Sequence, residues 1–236
     1  DGVISIVYNN TGDQVVIRGE NKFMPAKIFE ELSEEKRRRI IAACITEFSE
    51  YGYTGSSTNR MIRNAGISKG SLFQYFRNKE ELYFYVLDCV IQELTEYLEP
   101  GSKALPEELF DRIIKYAELE FSWYIRNPEK GRLIIDASAG KDTAVCQKVE
   151  ERYRLKGQDI YDSLLEDIDV SMFRGDKKKT ADILKWFLKG FNEDFNTRIE
   201  LQEGMDFGGL QHDYIKSLSD YMELLKSGIL TGEKGR

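Results

Sequence analysis

The chain has 236 residues, a formal net charge of −7, 41% hydrophobic and 32% charged residues. That is enough for one large helical domain or a small domain joined to a larger one. Its three cysteines, Cys44, Cys89 and Cys146, are odd in number, far apart and each set in an apolar helical pattern; this argues against a disulfide framework and for core positions in a reducing cytoplasm. No apolar run approaches the roughly 20 residues needed to cross a bilayer, and no charged start followed by an apolar block marks a secretory signal. A membrane partner is therefore not expected.

In chain order, residues 1–23 stand apart from everything after them. VISIVY and QVVIRG are short β-branched runs separated by the turn signal NNTGD, the pattern of a β-hairpin. This piece reads either as a genuine accessory arm or as a stretch upstream of a natural start at Met24. From Pro25 onward the pattern is helical. Ile40, Ile41, Cys44, Ile45 and Phe48 lay one apolar stripe along a helix that begins after Ser33 and ends at Gly52. Ser56-Ser57 offers an N-cap to a short helix reaching Ala65, Gly66 suits a tight turn, and Ser68 caps the next short helix within GISKGSLFQYF. A longer helix runs from about Asn78 to Glu99, where Pro100-Gly101 stops it. Three helices with a tight turn before the third, then a long connecting helix, form a helix-turn-helix head joined to a body.

Charge points to the face this head presents. From Tyr51 to Lys79 there is no Asp or Glu, while Arg60, Arg63, Lys69, Arg77 and Lys79 give +5. Against a chain total of −7, the remainder carries −12. A locally basic window on an acidic protein can meet phosphates while the rest is repelled from them. Enzyme signals are weak by comparison. His212 is the only histidine, with no motif around it, and the stretch at Gly140-Lys141 lacks both the first glycine and the Ser or Thr of a phosphate loop. No catalytic group, metal site or cofactor is implied.

The segment EFSEYGYTGSSTNRMIRNAGISKGSLFQYFRNKEEL, Glu47 to Leu82, closely resembles the DNA-binding head of TetR-family transcriptional regulators. It carries Gly52-Tyr53, then Ala65-Gly66-Ile67-Ser68, the Leu72 to Phe76 cluster and Lys79-Glu80, and the resemblance extends over Ser33 to Leu82. It departs from the family in three places: Met61-Ile62 for the usual Ile-Ala, Arg60 where an acidic residue is common, and Phe73 for a frequent tyrosine.

The resemblance implies an all-α fold, with a three-helix DNA-binding head at residues 24–80 and a larger helical domain for effector binding and dimerisation at 81–236. It implies that the third helix enters the major groove of a double-stranded DNA operator. Lys69 can then donate to guanine, Gln74 can pair with adenine or a phosphate, and Gly70 and Ser71 allow close approach. Ser57, Tyr75 and Lys79 match positions that contact the DNA backbone, Asn59 joins them, and Arg60 adds charge near the phosphates. In the body, helical segments are expected at roughly 106–126, 128–138, 142–168, 177–203 and 210–229. The last two carry the stripes from which a homodimer seam is expected: Ile183, Phe187 and Phe191 on one, Leu218, Tyr221 and Leu225 on the other. Phe110, Tyr116, Phe121, Trp123 and Tyr124 concentrate aromatic mass that suits an apolar or aromatic small-molecule effector. The expected function is ligand-responsive transcriptional regulation, with repression the family's commoner mode. An activator of the same fold and a helical adaptor that does not bind DNA are the alternatives.

Overall fold

The computed structural model describes residues 5–8, 14–17, 25–139, 144–145, 147–153, 164, 176–200 and 206–229. The turn NNTGD, Cys146 and most of the segment expected at 142–168 lie outside them; within that segment, residues 147–153 are helical. Strands β1 (Ser5–Tyr8) and β2 (Gln14–Ile17) pair antiparallel, with Ser5 opposite Ile17 and Tyr8 opposite Gln14. The chain forms two compact units, Asp1–Cys89 and Val90–Arg236.

In the first unit, α1 (Lys27–Glu30) is a single turn held by Phe29. That ring is fully buried, with the rings of Tyr75, Phe76 and Tyr85 at 5.4, 5.0 and 5.6 Å. Helix α2 (Glu34–Gly55) opens at Ser33, whose hydroxyl accepts from Lys36 N, and buries the expected Ile40, Cys44, Ile45 and Phe48. It does not stop at Gly52. That residue adopts φ 62°, breaking the helical path, and one further turn follows; the conformation suits a residue without Cβ. Helix α3 (Thr58–Ala65) ends at Gly66 with φ 62° and ψ 39°. Gly66 N donates to Arg63 O and Ile67 N to Ile62 O, which satisfies the last carbonyls and sets the turn into the next helix. Arg39 Nε donates to Ala65 O at 3.0 Å, tying that turn back to α2. Helix α4 (Lys69–Tyr75) is capped by Ser68, whose hydroxyl accepts from Ser71 N at 3.1 Å.

Helix α5 (Lys79–Ser102) begins with a reciprocal arrangement: Asn78 Oδ1 accepts from Glu81 N, and the Glu81 carboxylate accepts from Arg77 N. It runs a few residues past the expected stop, with Pro100 inside its last turn. Its first turns bury Leu82, Tyr83, Phe84 and Val86, with Tyr83 edge-on to Phe48 at 5.0 Å. For this reason the division between the units falls after Cys89, not where the helix starts.

The second unit contains α6 (Leu109–Arg126), α7 (Pro128–Ala139), α8 (Lys177–Glu200) and α9 (Phe207–Ile229). Its core draws Leu109, Phe110, Ile113 and Ala117 from α6, Leu184, Leu188 and Phe191 from α8, and Leu218 and Met222 from α9. Burying each of the larger side chains contributes about 1.5–3 kcal/mol. Among the described residues no helix is long and apolar enough to cross a membrane.

Candidate nucleic-acid interface

Helix α4 has two unlike sides. Leu72 and Tyr75 are buried, whereas Lys69, Gly70, Phe73 and Gln74 are exposed. Spacing explains the division, because 69 with 73 and 70 with 74 are one turn apart and share a face. Asn59 is exposed on α3, Ser57 half-buried at its start, and Arg63 and Arg77 are exposed. Ser71 is half-buried, its hydroxyl 2.7 Å from that of Ser68.

Three expectations change here. Tyr75 is only 5% exposed, with its ring against Phe29, so it is a core residue and not part of the outer face. Its carbonyl accepts from Ala26 N at 2.8 Å, which anchors the segment entering α1. Arg60 does not add free charge toward phosphates. Its guanidinium holds the Glu47 carboxylate, with Nε 2.8 and 2.9 Å from the two oxygens, donates to Gly55 O through Nη2, and lies 4.0 Å from the Tyr51 ring centroid. Glu47 is 2% exposed and also accepts from Ser57 N at 2.7 Å, so it fixes the start of α3. Burial alone would raise its carboxyl, but the hydrogen bonds from Arg60 and Ser57 and the charges of Arg60 and Arg63 hold it below the usual range.

Lys79 likewise turns inward. Its Nζ donates to Tyr53 O at 2.6 Å and Ser56 O at 3.1 Å, with Thr54 O at 3.4 Å, and sits 4.6 Å from the Tyr53 ring centroid. Burial lowers its pKa, and the Glu47 carboxylate opposes that shift. The ammonium is a cap on the carbonyls at the end of α2. Of the five basic residues in the acid-free window, Arg63, Lys69 and Arg77 are the ones whose residues are exposed. The chain signal for this was indirect: Glu47 lies just before the window, and Arg60 stands where an acidic residue is common in the family it resembles.

Similarity to known proteins matches this geometry. The family model for bacterial regulatory proteins of the tetR family matches residues 40–86. The head is a TetR-family helix-turn-helix. The HTH-type transcriptional regulator HbdR of Aromatoleum sp. is 38% identical over 72 residues, which are 29% of this chain and 31% of HbdR. An HTH-type transcriptional repressor of Mycobacterium tuberculosis is 34% identical over 58 residues, 25% of this chain and 31% of that protein. The chain spans about a third of the length of the curated relatives it matches. In fold the likeness is wider. A TetR-family transcriptional regulator from Chloroflexus aurantiacus superposes with a TM-score of 0.57 at 19% identity, covering 88% of this chain and 99% of that one. The helical body that follows the head in the chain thus shares that fold.

Within that body the expected seam residues separate. Leu218 is fully buried and Phe191 nearly so, both in the unit's own core, while Phe187 and Leu225 are partly buried against it. Ile183 and Tyr221 are exposed. Two further apolar residues are more exposed, Trp186 at 72% and Leu224 at 69%. Each lies three residues after Ile183 or Tyr221, so the same helical spacing contained them; the apolar residues of α8 and α9 cover so much circumference that the inner and outer stripes merged.

Among the described residues, the aromatic group on α6 is packed against its neighbours. Phe110, Phe121, Trp123 and Tyr124 are buried and Tyr116 half-buried. Tyr124 packs on Phe207 of α9 at 5.8 Å, and its hydroxyl donates to Glu120 at 2.5 Å. Phe121 meets Tyr214 at 5.0 Å, and Tyr214 in turn meets Phe195 at 4.9 Å. Two surface clefts of the body measure about 310 and 590 Å³. They are lined by residues such as Phe195, Arg198 and Asp220, and Lys115, Glu118 and His212, and neither includes any of the five α6 aromatics.

Proposed function

We propose that the chain is a non-enzymatic, cytoplasmic DNA-binding transcriptional regulator: a homodimeric repressor released from a two-fold operator by a small molecule. The observation that carries this is the outer face of α4, where Lys69, Gly70, Phe73 and Gln74 stand exposed on a helix whose other side is locked by Leu72 and Tyr75. A recognition helix needs a fixed back and a front that can reach base edges, which Lys69, Gly70 and Gln74 supply here. Lys69 and Gln74 read bases, Gly70 and Ser71 permit close approach, and Ser57, Asn59, Arg63 and Arg77 hold phosphates. Ile183, Trp186, Tyr221 and Leu224 supply an apolar surface for a second copy; a two-fold pair of heads doubles a contact area that is small for one head. The aromatic body favours an apolar or aromatic effector, whose entry would require these packed rings to shift.

Selection of bound duplexes from a random pool tests the reading. The expected product is a sequence with two inverted half-sites, bound tightly by the full chain and weakly by a Lys69→Ala variant. A pool from which no sequence is enriched would refute DNA regulation and favour an adaptor role.

A further inference from the structure

The large apolar residues of α4 and the position after it are treated unequally. Leu72, Tyr75 and Phe76 are buried, yet Phe73 is 44% exposed. Lys69 and Gly70 lie four and three residues before it, so the ring, the ammonium and the bare glycine share one surface. Gly70 is helical, and a Cβ placed there would meet only Ser68 Oγ, at 3.9 Å. Space within the chain would accept a side chain, and glycine is the least favourable helix residue other than proline. Two features are therefore unexplained by the head's own packing: an uncovered ring, and beside it a missing side chain.

Both are explained by one partner atom. The benzyl ring has no donor or acceptor, so it offers a phosphate nothing, and the apolar group that the major groove exposes is the C5-methyl of thymine. We infer that Phe73 reads a thymine through this methyl group, with Gly70 leaving room for the base edge to approach. The inference rests on the DNA-binding reading above and adds the identity of one base to it. The thymine lies within about two base pairs of the one that Lys69 touches, since a helical turn rises about 5.4 Å and stacked pairs are about 3.4 Å apart.

Deoxyuridine differs from thymidine at this site by the methyl alone, which makes the test specific. Duplexes selected by the full chain supply the site, and each thymine is then exchanged singly for deoxyuridine. Binding by the natural chain should weaken about fourfold at one thymine per half-site, the effect of one methyl-sized apolar group taken out of water, and about fifteenfold when both are exchanged. Phe73→Ala should bind the thymine and deoxyuridine duplexes equally. A flat scan with the natural chain overturns the inference without any variant being needed, and so does a Phe73→Ala protein that keeps full sensitivity to the exchange. If selection enriches no sequence, the DNA-binding reading fails and this inference with it; an enriched site with a flat scan removes the thymine contact alone.

Discussion

Lys79 separates two roles that a single positive charge can play in such a head. Lys79→Met keeps the length and apolar stem of the side chain and removes the ammonium. The carbonyls of Tyr53 and Ser56, now 2.6 and 3.1 Å from Nζ, would lose their donor, and Ser56 is a buried residue. Hydrogen bonds to a charged group are worth about 1.5–3 kcal/mol each. Lys79 is half-buried, so water replaces part of what is lost, and the net destabilisation should be about 2 kcal/mol. Urea unfolding of the full chain, followed by helical circular dichroism, measures this as a lower midpoint. In parallel, affinity for the selected duplex across several salt concentrations measures phosphate contacts, each worth about 0.9 in the log–log slope. Lys79→Met should leave that slope unchanged, whereas Arg77→Ala should reduce it by about one unit. An unchanged urea midpoint together with a shallower slope for Lys79→Met would mean that the ammonium serves phosphates and not the end of α2.

Other outcomes follow from the same geometry. Glu47 has a folded pKa below its unfolded one, so its contribution is complete above the ordinary carboxylate range and disappears as pH falls through the lowered value; the stability gap between the natural chain and Glu47→Gln should close on acidification, and a gap independent of pH would refute the Arg60 pairing. Glu120 has the opposite sign. Burial raises its carboxyl, against the hydrogen bond from Tyr124, so the natural chain should lose stability as pH rises through the ordinary value to the raised one, and Glu120→Gln should not; thermal melts across that range that run parallel would contradict it. Trp186→Glu combined with Leu224→Glu should give a folded monomer in sedimentation velocity, whereas Phe191→Glu should unfold the body; a double variant that remains dimeric moves the seam elsewhere.

The helices of the head were legible because their punctuation is local: Ser33, Ser68 and Gly66 act on backbone groups within a few residues, and each occupies its expected role. The end of α2 was not, since Gly52 interrupts the path without ending it and the following turn depends on the distant Lys79. Charge was read correctly as a local excess but not as a free one. Whether Arg60 faces solvent is decided by Glu47, thirteen positions earlier, and nothing in a one-dimensional charge count carries that pairing. In the body, periodicity located α8 and α9 but could not rank their apolar positions, because Leu218 and Leu224 look alike in sequence while one is fully buried and the other exposed. Aromatic concentration on α6 was likewise real, yet rings that attract one another also fill space, and here Phe121 and Tyr124 pack on Tyr214 and Phe207 of α9.

The chain has two tryptophans, and both belong to the second unit: Trp123 is 4% exposed and Trp186 72% exposed. The protein thus carries two indole fluorophores in opposite surroundings, one buried and emitting toward the blue and one in water emitting toward the red. Iodide should extinguish the red component and spare the blue. If a second copy covers Trp186 as proposed, its emission should move blueward and escape the quencher as protein concentration rises, so with excitation selective for indole assembly can be followed with no label on the chain and no signal from the head, which has no tryptophan.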